Sequence, residues 1–190
     1  MLLMGEPLPI ELMNTVWADR DGIHDALTDE FGAWVAAIGA RAGVLELPAA
    51  ASGASRSAKR LRTLRDAMRR LAAEQTSDPR DIAVDGTALS WAVATVNEAA
   101  AAAPAWTELE WPARRVTRTR AVSFAALEGL LAAQMIDLLT GEQRDDLRAC
   151  LAPGCVLYFV KPRNRREWCS TGCGNRARAA RHYQRHRSPA

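Results

Sequence analysis

Four cysteines, Cys150, Cys155, Cys169 and Cys173, are all the chain has, and they lie close together near its C-terminus. They form a C-x4-C pair and a C-x3-C pair separated by thirteen residues. Zinc takes four ligands in a tetrahedron, and a close pair on a tight turn supplies two of them at little entropic cost. The same thiols could make two disulfides or stay unrelated. Their tight clustering points to the metal, and Met1 to Met13, with no basic residue and broken by Pro7 and Pro9, is not expected to act as a secretory segment. Four thiolates on one dication leave a net charge of minus two and no position for water, so the expected site is structural rather than catalytic.

The surrounding sequence says how such a site is built. Val156 to Val160 is a short β-rich run, Pro162-Arg163-Asn164 reads as a turn, and Arg165 to Trp168 is expected to return as a second strand. Cys169 and Cys173 then fall on a turn entering a helix from about Gly174 to Arg187. Free N–H groups and the dipole at a helix N-terminus favour thiolates there. A knuckle, a hairpin and a helix together make a treble-clef-like finger.

Trp168-Cys169-Ser170, followed by Cys173-Gly174-Asn175-Arg176, resembles the signature of the CGNR zinc finger family. In one departure, Val160-Lys161-Pro162 stands where that family often carries an acidic residue after the aromatic pair. The resemblance implies a bacterial transcription regulator of the kind called stress-induced. Glu11-Leu12-Met13-Asn14-Thr15 is similar to the opening element of the ABATE-type domain, an N-terminal companion of this finger. The expected organisation is therefore an ABATE-like helical domain over residues 1–145 and the finger with its basic helix over 146–190.

Charge distribution suggests the partner. From Lys161 to Arg187 there are nine basic residues against one acid, Glu167, whereas the whole chain carries only +3. Such asymmetry predicts an anionic partner for the tail, with double-stranded DNA expected. Arg163, Arg165 and Arg166 on the hairpin and Arg178, Arg181 and Arg185 on one helix face are the candidate DNA contacts. Arg176, on the opposite side with Ala179, Ala180 and Tyr183, is expected to brace the finger near the thiolates together with Asn175. A protein-interaction or RNA-binding adaptor, with zinc only holding the C-terminus together, is the rival reading.

The rest of the chain reads as mainly α. A short helix is expected over Ile10 to Trp17, then a loop at Asp19-Arg20-Asp21-Gly22. Thr28 is the expected N-cap of a helix burying Phe31, Trp34, Val35 and Ile38 and stopping at Gly43. A second helix buries Leu61, Leu64, Met68 and Leu71, with Arg60, Arg62, Arg65, Arg69 and Arg70 on its solvated face. A third, over 86–103, turns Leu89, Val93 and Val96 inward. Thr107 to Trp111 and Arg115 to Arg120 read as a small β-hairpin around Pro112. A last long helix, about 122–140, buries Phe124, Leu127, Leu131, Met135 and Leu138. Asn14, Thr15, Asp19 and Arg20 are candidates for a pocket binding a small-molecule effector, with bracing of the first helix as their plainer role.

Several classes find no support. The sequence has no P-loop or dinucleotide fingerprint, no H-E-x-x-H and no G-x-S-x-G. The apolar stretch 121–139 is interrupted by Glu128, Gln134 and Asp137, which reads as a core helix rather than a membrane span. The expectation is a non-enzymatic, cytoplasmic protein, with no membrane partner and with a homodimer left open.

Overall fold

The computed structural model describes residues 3–43, 54–80, 88–120, 123–161 and 166–187. Pro7 and Pro9 open a short helix, α1 (Leu8–Met13), all six of whose residues are buried. It stops earlier than its apolar run suggests. Asn14 is the C-cap, and the β-branched and aromatic pair Val16 and Trp17 begins a strand instead. Strand β1 (Val16–Asp19) pairs antiparallel with β2 (Gly22–Asp25), so the expected loop is the turn of a hairpin and His24 faces Trp17 across it.

Asp25 then caps α2 (Ala26–Asp29), its carboxylate accepting from Leu27 N at 2.9 Å. Thr28 lies inside this short helix, and the helix that follows has Glu30 at its N-cap position with no side-chain cap bond, so the expected Thr28 cap is not formed. Helix α3 (Phe31–Ala42) buries Trp34, Val35 and Ile38 and ends at Gly43 as its periodicity predicts, while Phe31 is half-buried against the core. The long α4 (Ala54–Thr76) buries Leu61, Leu64 and Met68. Next come α5 (Leu89–Ala102), the hairpin of β3 (Ala105–Glu110) and β4 (Arg114–Thr119), and α6 (Ser123–Thr140).

Helix α5 corrects its sequence reading. Ala92 and Val96 face the core, while Leu89 and Val93 are exposed. Small alanines let α5 lie close to α4 and α6, so the larger apolar side chains are displaced outward. The resulting core joins α1, α3, α4 and α6 through Ile10, Trp34, Ile38, Met68, Leu127 and Leu131. No helix among the described residues is long and apolar enough to cross a membrane.

The finger is not a separate bead. After a 3-10 turn (Glu142–Asp146), strand β5 (Leu147–Ala149) pairs antiparallel with β6 (Tyr158–Val160). Leu147 and Tyr158 belong to the same hydrophobic core as α1 and α4. The expected pairing of Val156–Val160 with Arg165–Trp168 is thus replaced. The partner strand comes from before the knuckle, because the C-x4-C turn already folds the chain back on itself. Residues 166–168 form no strand, and Arg165 lies outside the described residues. Helix α7 (Thr171–Arg187) completes the chain.

Candidate metal centre

The first cysteine pair sits on a turn that its own sequence dictates. In Ala152-Pro153-Gly154-Cys155, proline suits the second position and glycine the third, which needs a positive φ. Gly154 has φ +71°, and Cys155 N donates to Ala152 O at 2.9 Å. Cys150 N donates to Leu157 O at 2.9 Å, closing the knuckle at the mouth of the β5–β6 pair. The second pair opens α7. Ser170 caps the helix, its hydroxyl accepting from Cys173 N at 3.1 Å.

All four sulfurs are buried and lie within 4.8 Å of one another. Cys155 to Cys169 is 3.7 Å and Cys169 to Cys173 is 3.4 Å. A tetrahedral Zn–S shell at about 2.3 Å places sulfurs roughly 3.8 Å apart, so the donor set fits that ion in kind, number and spacing. Hydrogen bonds from the Cys155 and Cys169 thiols hold the Cys150 thiol well below its usual range, and the same contacts push Cys155 and Cys169 up. Zinc held by all four sulfurs requires them as thiolates, and the charge of the dication supports that deprotonation.

The Cys173-Gly174-Asn175-Arg176 tetrapeptide can be read residue by residue. Arg176 donates to Cys173 Sγ at 3.1 Å, placing positive charge against the thiolates. A Cβ at Gly174 would lie 3.2 Å from Trp168 Cδ1, so the absent side chain lets the indole lie on the helix start. Arg181 stacks over that indole at 5.6 Å. Asn175 accepts from Arg178 and reaches no thiolate. The packing side of α7 carries Cys173, Gly174 and Ala177, not the expected Ala179, Ala180 and Tyr183; Tyr183 is largely exposed.

The N-terminal domain grips the knuckle with polar groups. The Asn14 amide donates to Tyr158 O and accepts from Tyr158 N, both at 2.9 Å, as a neighbouring strand would. Arg69 donates to Met13 O at 2.9 Å and to Val156 O at 3.0 Å. Arg80 donates to Cys150 O at 3.1 Å and to Cys155 O at 2.9 Å. Arg69 and Arg80 lie 5.2 and 5.1 Å from the centre of the Tyr158 ring. Burial pushes the Tyr158 phenol up to about 12, helped by its hydrogen bond to Asp78 at 2.7 Å. Burial alone would raise Asp78, but hydrogen bonds from Arg80 and Tyr158 outweigh it and hold the carboxylate below its usual range.

These contacts revise several expectations. Arg65 and Arg69 do not lie on a solvated face; they are 5% and 3% exposed. Arg65 pairs with Asp25 at 2.7 Å and reaches Thr15 Oγ1 at 3.3 Å. Asn14 and Thr15 are buried and engaged within the fold, whereas Asp19 and Arg20 occupy an exposed turn, so the four do not form one pocket. Arg166 is turned inward onto Glu6 and lies 4.8 Å from the centre of the Phe159 ring. Arg178, Arg181 and Arg185 are exposed, and Arg163 and Arg165 lie outside the described residues. Arg69 and Arg80 had no sequence signal separating them from surface arginines, because only the docking of the knuckle brings carbonyls to them.

A helical domain closed by a four-cysteine, treble-clef-like zinc finger is the class that this fold and site define. The chain belongs to the ABATE family, described as "Putative stress-induced transcription regulator", whose model matches residues 6–142. Residues 147–186 match the CGNR zinc finger, and zinc is the cofactor. No curated protein matches the chain. Both families are regulator-like or metal-binding rather than enzymatic.

Proposed function

We propose that the protein is a transcription regulator that binds duplex DNA through α7. In this reading Cys150, Cys155, Cys169 and Cys173 are the zinc ligands, residues 146–190 are the DNA-binding module, and residues 1–145 sense or scaffold. The observation that carries it is the character of α7: seventeen residues with no carboxylate, anchored at one end by the cysteine cluster, with Arg178, Arg181 and Arg185 exposed. A helix of about 10–12 Å diameter suits a major groove of about 12 Å. Arginine's paired donors suit phosphates and guanine edges.

Arg166 serves as a staple to Glu6 in this scheme and leaves the interface to the helix. Selection from a random duplex library by the zinc-loaded full chain is the test. A defined site should emerge, and Arg178→Ala or Arg181→Ala should lose about 1–3 kcal/mol of preference for it at unchanged zinc content. Log K should fall linearly with log salt, by about 0.9 per phosphate contact. Equal affinity for every duplex, or no loss in either variant, would sink the proposal. Binding confined to single-stranded RNA would favour the adaptor reading.

A further inference from the structure

Two histidines near the end of α7 play no part in anything described so far. His182 and His186 are four residues apart, so the helix places them on one face, one turn from each other. Their ring centroids are 4.3 Å apart. Both side chains are exposed, and neither ring makes a hydrogen bond to any other described residue. His182 touches Tyr183 edge-on at 6.1 Å, a contact that leaves its ring nitrogens free.

We propose that His182 and His186 form a second metal site, a bidentate chelate for a borderline divalent transition-metal ion. Metal–imidazole bonds of about 2.0–2.1 Å require the two ligating nitrogens to stand roughly 3 Å apart, which rings at this spacing reach by side-chain rotation alone. Imidazole selects copper, nickel and zinc, and the helix has no carboxylate to recruit calcium or magnesium. Cys173 and His182 are nine residues apart, or about 13 Å along the axis, so the dyad is a separate site rather than an extension of the thiolate cluster. The two sites also differ in kind. The thiolate shell is closed, whereas a two-histidine chelate leaves coordination positions to water or to an incoming donor. At about 100° per residue the dyad flanks the stripe of Arg178 and Arg185, so a bound ion adds charge at the edge of that stripe. The site depends on no assumption about what the helix contacts.

Equilibrium dialysis of the zinc-loaded full chain against nickel chloride, with both metals measured, tests it. Nickel should bind at one ion per chain while zinc stays at one. His182→Ala and His186→Ala should each weaken nickel binding by about a hundredfold, as expected when an intramolecular second ligand is lost. His24→Ala, on the β1–β2 hairpin, should change nothing. Circular dichroism of the variants, both altered at exposed positions, checks that the helix persists. Nickel retained by both variants, nickel replacing zinc one for one, or no nickel bound by the wild type would each overturn the proposal.

Discussion

Cys155 and Cys173 share one sulfur cluster, yet the segments that carry them have opposite surroundings. The knuckle and β6 are sunk against the N-terminal domain, with Tyr158 and Phe159 almost wholly buried. Arg69, Arg80 and Asn14 meet their carbonyls and amides. Helix α7 is held at its first turns and exposed from Arg178 to His186, except for half-buried Ala180. One half of the finger therefore behaves as part of the domain's core, and the other as a protruding rod. The cysteine cluster joins them, which makes the metal the main tether of the rod and a support for the core beneath it.

The largest expected effect comes from breaking that joint. Structural zinc contributes roughly 10–16 kcal/mol apparent in small fingers. Cys173→Ser, or a strong chelator, should release zinc and melt α7. Because Leu147 and Tyr158 sit in the α1–α4 core, hydrogen exchange should also accelerate in α1 and α4. A chelated protein whose α1 and α4 amides kept full protection would show that the two regions are independent.

Removing the grip on the knuckle comes next. Arg69→Met leaves the Met13 and Val156 carbonyls without their charged donor and should cost about 2–4 kcal/mol in urea unfolding. Asn14→Ala removes both bonds to Tyr158 and should cost about 1–3 kcal/mol by the same measurement. Surface-like losses under about 0.5 kcal/mol in both would dissolve the contrast between the two halves.

The two arginines of the rod sharpen the comparison. Arg176→Ala removes a donor to Cys173 and should lower the melting temperature by a few degrees, roughly 1 kcal/mol. Arg178→Ala should leave it within about 0.5 kcal/mol. Equal melting curves would remove the distinction.

The smallest effect is a titration. Tyr158 is pushed up from its ordinary 10 to about 12, so the folded state holds its proton more tightly than the unfolded chain. Its contribution to stability is fully present below pH 10 and is lost as pH rises through about 12. One tyrosine should therefore show phenolate absorbance only near pH 12, and Tyr158→Phe should abolish that late step. A titration complete by pH 11 would contradict the buried Asp78 contact.

Much of this was legible in the sequence because it is local. The cysteine spacing, the β-rich run after Cys155 and a helix opening at the second cysteine pair are readable from neighbouring residues. The periodicities of α3, α4 and α6 and the β3–β4 hairpin likewise follow from neighbours a few residues apart. What only the tertiary structure decided is long-range. Arg65 and Arg69 fall on the helix face that a sequence reading assigns to water, and become buried because Thr15, Asp25 and the knuckle carbonyls arrive there from distant segments. Strand β6 takes Leu147–Ala149 as its partner rather than the segment after Pro162, because the cysteine knuckle reverses the chain first. Asn14 and Thr15 carry the chemistry of a binding site, yet burial turns that chemistry to fastening β6 and Arg65. A side chain's type states which bonds it can make, and the residues that come within about 3 Å of it decide which of them it does make.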